Sequence, residues 1–178
     1  FIGATGEKLN FSDDVEKIIK KCGINHFYSH KLNKNKFQRL LCSELLRDVL
    51  STFDSEEKSI NLYSGHDTNI VNCLTNLLDV DKIKPKLIES VEKGKDDDYE
   101  FYIPPFASNI VFELVRDEMT KEKFVKVYYN NKELSEDWVS GITYTKGQGI
   151  RKEEFKQVFS ARIIDTSSGK WDCKRDMD

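Results

Sequence analysis

The stretch Leu62-Tyr63-Ser64-Gly65-His66-Asp67-Thr68-Asn69-Ile70 sets a histidine directly before an aspartate, in a chain that has only three histidines. A short apolar run, 60–64, precedes the pair, and residues 68–78 carry helical spacing after it. The pair is therefore expected at a strand-to-helix junction. In open α/β sheets, ligands collect beyond the carboxyl ends of the strands. A helix that starts there offers free N–H groups and the positive end of its dipole to a phosphate. A protonated His66 would add charge-assisted hydrogen bonds to phosphoryl oxygens. A protonated Asp67 can pass its proton to a leaving oxygen, a role that needs a raised pKa from burial or a neighbouring anion. The same residues have a plainer use, because Asp67 or Thr68 can cap the following helix.

The other chemistry-bearing residues give less. His26 and His30 stand one helical turn apart and can present two metal ligands on one face, but no third ligand with convincing spacing accompanies them. They are read as polar residues, and no metal or cofactor is expected. Ser64 precedes Gly65-His66 without a G-x-S-x-G elbow, so a serine hydrolase is not indicated. The run 146–149, "KGQG", is too short for a phosphate loop and reads as a turn. Glu113, between Phe112 and Leu114, reads as a structural residue, either buried and hydrogen-bonded or exposed on a sheet face. Cys22, Cys42, Cys73 and Cys173 lie far apart with no zinc spacing. Each alone reads as a buried thiol, while their even number permits disulfides in an oxidising compartment. Asn10-Phe11-Ser12 has the form of a glycosylation acceptor, a triplet common by chance.

The elements that would position these residues follow from periodicity and punctuation. Ser12 can cap a helix over 12–22 whose first turn holds Asp13 and Asp14, and Gly23 is expected to stop it. Residues 36–53 form an amphipathic helix with Phe37, Leu41, Leu45, Val49 and Phe53 along one stripe, widened by Leu46 and Leu50. The run 60–64 is expected as a strand, and 68–78 as a helix with Ile70, Val71, Leu74, Leu77 and Leu78 on one face. Pro104 and Pro105 sit in extended chain ahead of a strand at 108–116. A second strand at 124–129 alternates and ends in the turn "NNKEL", so the two strands are expected to be paired or adjacent. A last helix, 151–163, has Phe155, Val158, Phe159 and Ile163 as its apolar face. Helices, then β-α-β-β, then a helix predict an α/β sandwich whose sheet is incomplete in this chain alone.

The 178 residues suffice for one sizeable core. Hydrophobic content of 38% beside 33% charged residues places the chain among soluble globular proteins. A net charge of −3 with scattered basic residues argues against a nucleic-acid partner. No apolar run approaches the roughly 20 residues of a membrane-spanning helix. The start, "FIGATGEKLN", opens on Phe1 and has no charged leader before an apolar run, so a processed chain cut from something longer is expected.

Taken in order, His66-Asp67-Thr68, then Pro104-Pro105-Phe106-Ala107-Ser108 with Glu113-Leu114, then Tyr128-Tyr129-Asn130, resemble the distal motifs of the histidine acid phosphatases. The helix over 36–53 matches the one before the His-Asp motif. "WDC" at 171–173 resembles the family's C-terminal Trp-x-x-x-Cys region with shorter spacing. The resemblance runs from about residue 30 to the C-terminus. One departure bears on mechanism. The family nucleophile is a histidine in RHGxRxP, and this sequence contains no RHG.

The resemblance thus implies the C-terminal part of a three-layer α/β phosphatase with part of a helical lobe. Residues 1–53 would be the lobe and the helix leading into the core, and 54–178 the C-terminal part of the phosphatase domain. A separate N-terminal half carrying RHGxRxP would be the partner, with room for a homodimer of the assembled enzyme. The implied reaction is phosphomonoester hydrolysis through a phosphohistidine, without metal, in an acidic or extracytoplasmic compartment. His66 would bind the phosphoryl group, Asp67 would be the proton donor, and His30 falls near a segment that can face substrate. Cys173 lies where the family forms a disulfide to the N-terminal half. The alternative is a non-catalytic, phosphatase-like binding subunit whose partner has lost its nucleophile.

Overall fold

The computed structural model describes residues 11–30, 36–55, 57, 59–94, 104–134, 139, 141–145 and 147–165. Asn10, Trp171 and Cys173 lie outside the described residues. Among those described, five helices and five short strands make a mixed α/β fold.

Helix α1, Asp13–His30, carries Asp13, Asp14 and Glu16 in its first turn, where acidic side chains favour the positive helix end. The stop expected at Gly23 does not occur. A glycine inside a helix costs only about 1 kcal/mol relative to alanine. Ile24, the next residue, is fully buried where α1 packs against a later helix, and that burial outweighs the cost.

Helix α2, Lys36–Thr52, buries Cys42, Leu46, Val49 and Leu50, with Phe53 just beyond its end. The buried face is rotated from the expected stripe, since Leu41 is half exposed and Leu45 packs only at the margin. Helix α3, Asp67–Leu77, packs on α2, and its Cys73, Leu74 and Leu77 join the core cluster to which α2 contributes. Helix α4, Val80–Glu92, was not foreseen. It contains Pro85, whose missing N–H and ring disfavour a helix interior. Here Pro85 is exposed, while Ile83, Leu87 and Val91 recur every four residues on the face packed against α1.

The sheet is antiparallel. Strands β1 (Ile110–Arg116), β2 (Lys123–Tyr129), β4 (Tyr144–Thr145) and β5 (Gly149–Arg151) run in the order β1-β2-β5-β4, and β3 (Lys132–Glu133) also pairs with β2. The expected pairing of the two longer strands is present, with Ile110 opposite Tyr129, Phe112 opposite Val127 and Leu114 opposite Val125. These six residues share one face of the sheet, as the period-two alternation requires. The last helix, α5 (Lys152–Ser160), lies on that face. Its fully buried Phe155 meets Phe53, Phe112 and Phe159 at ring-centroid distances of 5.9, 6.2 and 4.4 Å. Through Phe155 the sheet, α5 and the end of α2 share one core.

The run 60–64 is not a strand. It is irregular, with Ile60 88% and Leu62 90% exposed. A strand needs a neighbour to satisfy its backbone groups, and this run pairs with no described strand.

Candidate active site

The candidate site is the junction between residues 60–66 and the start of α3. Tyr63 ties this segment to α2, its hydroxyl donating to Asp48 Oδ2 at 2.8 Å. That bond is the largest cause of a Tyr63 pKa above the ordinary phenol value, because the carboxylate favours the protonated phenol.

His66 is the N-cap of α3, with extended backbone (φ −94°, ψ 170°), and its carbonyl accepts from Asn69 N at 3.0 Å and Ile70 N at 3.3 Å. Histidine is not among the favoured N-cap residues. Asn69 supplies what the cap lacks, as its Oδ1 accepts from His66 N at 2.8 Å. Gly65 makes room for this fold-back. A Cβ on Gly65 would lie 3.1 Å from both Asn69 Cβ and Oδ1. Gly65 and Asn69 are thus positioning residues that the sequence alone did not reveal. The signal was there as an N-cap followed three residues later by an amide, a variant of the capping box.

Asp67 is the first residue of the helix, and its Oδ1 accepts from Thr68 N at 2.7 Å. It therefore takes up one of the free N–H groups at the helix start but is not the N-cap, and neither is Thr68. His66 and Asp67 are both exposed. The arrangement sets an imidazole and a carboxyl side by side at the positive end of a helix whose other end is anchored in the core. An anion bound there is favoured by the dipole.

The other quoted motifs meet each other. Pro105 to Ser108 form a turn, closed by Ser108 N donating to the Pro105 carbonyl at 3.2 Å, with Ala107 at φ 62°. The Asn130 side chain braces it, its Oδ1 accepting from Asn109 N at 3.0 Å and its Nδ2 donating to Ser108 Oγ at 3.3 Å. Asn130 and Asn131 both have positive φ, which suits the tight turn between β2 and β3. Phe106 projects fully into solvent. Glu113 is exposed on the outer face of the sheet, where it accepts from the Tyr128 hydroxyl at 3.2 Å. Of the run 146–149, Gly147 and Gln148 form a turn between β4 and β5 and Gly149 opens β5, while 146 lies outside the described residues.

His26 and His30 are both in α1, so their backbones do stand one turn apart, but their side chains lie outside the described residues. Among the described residues no group of three or more histidine, cysteine or acidic side chains is placed to hold a metal ion.

The family model described as "Histidine phosphatase superfamily (branch 2)" matches residues 22–130. The chain belongs to that superfamily. The matched stretch takes in His66-Asp67, the turn at 105–108 and the Tyr128-Tyr129-Asn130 end of β2, and it starts ahead of residue 30. It stops short of the 171–173 region. No curated protein and no solved structure gives a significant match. Membership in this superfamily points to phosphatase chemistry, and the matched stretch contains His66 and Asp67.

Proposed function

We propose that this chain is the proton-donating half of a histidine acid phosphatase that hydrolyses phosphomonoesters. The observation that carries the proposal is His66 at the N-cap and Asp67 at the first helical position of α3, both exposed to a ligand. His66 binds the phosphoryl oxygens. A histidine of RHGxRxP, supplied by a companion N-terminal half, attacks phosphorus while the bond from phosphorus to the ester oxygen breaks. Asp67 gives its proton to that departing oxygen. The resulting Asp67 carboxylate then takes a proton from water, which attacks the phosphohistidine and frees phosphate.

Two features support a companion polypeptide. The apolar residues Ile60 and Leu62, next to the site, are almost wholly exposed. The outer sheet face also carries exposed Val111, on the side away from α5. A companion half that covers both would complete the three-layer sandwich. An acidic, extracytoplasmic compartment is part of the same proposal.

The experiment is Asp67→Asn in the assembled enzyme, with steady-state kinetics and intact-mass analysis of every polypeptide present. We expect kcat to fall by about 100-fold or more with KM little changed, as for loss of a general acid. Unchanged kcat overturns the assignment. A companion polypeptide with a degenerate RHGxRxP and no turnover would make the chain a binding subunit instead.

A further inference from the structure

The proposed chemistry uses no cysteine, yet two cysteines are buried in the core. Cys42 on α2 and Cys73 on α3 are each 2% exposed and belong to one core cluster. The two helices pack on each other, and the Cys73 thiol interacts with that of Cys42 across their contact. Facing Cα atoms of helices packed about 8–10 Å apart come within the roughly 4.4–6.8 Å that a disulfide spans.

We propose that Cys42 and Cys73 are an oxidisable dithiol whose disulfide staples α2 to α3, the helix that begins at Asp67. The crosslink closes a loop containing the whole of 59–66 and the His66-Asp67 pair. Tyr63 already ties that segment to α2 through Asp48, so a staple at Cys73 secures its far side to the same helix. The inference does not depend on the proposed phosphatase reaction.

The co-reactant is a low-molecular-weight disulfide of the glutathione type. One protein thiolate attacks a sulfur of that disulfide, giving a mixed disulfide and one small thiol. The second protein thiolate attacks the protein sulfur of the mixed disulfide and releases the second small thiol. One S–S bond breaks and one forms, and the two protein protons end on the two small thiols. The protein loses two electrons and the small disulfide gains them.

The folded environment sets the timing. The hydrogen bond with Cys42, and then burial, hold the Cys73 thiol well above its ordinary pKa. Only the thiolate attacks, so exchange takes place while the chain folds or opens locally. Once enclosed, the disulfide is shielded from reductants by the same packing.

The test uses the full chain, refolded with oxidised glutathione, acid-quenched, alkylated in denaturant and digested without reductant. A linked peptide pair containing Cys42 and Cys73 is expected. Alkylation of both residues, or their pairing with other cysteines, overturns the proposal. Thermal unfolding with and without reductant is the second reading. Reduction should lower the midpoint of the wild-type chain, and by less in Cys73→Ala. An equal drop in both overturns the staple, and the peptide map on the wild-type chain stands even if Cys73→Ala fails to fold.

Discussion

Asn69 holds the backbone at the candidate site. It returns from the third helical position to accept the His66 N–H, and Gly65 is the residue whose missing side chain allows the approach. Replacing it, Asn69→Ala, should lower stability by about 1 kcal/mol, the usual cost of a lost cap. Urea unfolding of the two chains would measure it, and equal midpoints would show that the cap contributes nothing. The His66-Asp67 pair was legible because a histidine beside an aspartate is scarce and chemically loaded. Its support was not, because a capping box is ordinarily written with serine or threonine first and glutamate or glutamine three residues later. Here histidine and asparagine take those places, and the plainer expectation that Asp67 or Thr68 serves as the cap fails for the same reason.

Elements with a clear apolar period, α2, α3, α5 and the β1–β2 pair, were legible, since periodicity reflects which face is buried. The misses have physical causes. Helix α1 passes through Gly23 because Ile24 buries fully, and in α4 the burial of Ile83, Leu87 and Val91 offsets the cost of Pro85. The run 60–64 has strand composition, but composition cannot supply the paired neighbour that makes a strand. Gly147 and Gln148 make the expected turn, and the structure shows why glycine follows them at the start of β5. Gly149 has φ 102°, and a Cβ there would lie 2.6 Å from the Val125 carbonyl oxygen. Both the left-handed backbone and that contact penalise a side chain. Gly149→Ala should therefore destabilise the chain by about 2–3 kcal/mol, within the range of backbone strain and overpacking. A chemical unfolding curve superimposable on the wild type would refute the requirement.

Across the whole molecule, the end of α2 and the start of α5 are joined twice. Phe53 packs on Phe155, and the next residue, Asp54, takes Lys156 Nζ at 2.6 and 2.7 Å and Lys152 Nζ at 3.1 Å. Hydrogen bonds from Lys156 and then Lys152 lower the Asp54 pKa from its ordinary value of 3.8. The sign follows from linkage. A carboxyl whose folded pKa lies below its unfolded one contributes stability that is fully present above the unfolded value. That contribution is lost as pH falls through the folded value. For an enzyme proposed to work in an acidic compartment, this keeps the α2–α5 tie ionised under mildly acidic conditions. Because Asp54 is exposed, the tie is also screened by salt. The wild-type chain should exceed Asp54→Asn in stability by a constant margin from neutral pH down to mild acid. The margin should close only once pH drops below 3.8, and it should shrink at high salt at any pH above that. Thermal melts of both chains across a pH series, at low and high salt, decide the matter. A margin that vanishes already between neutral pH and mild acid would mean that Asp54 does not hold its charge through these two lysines.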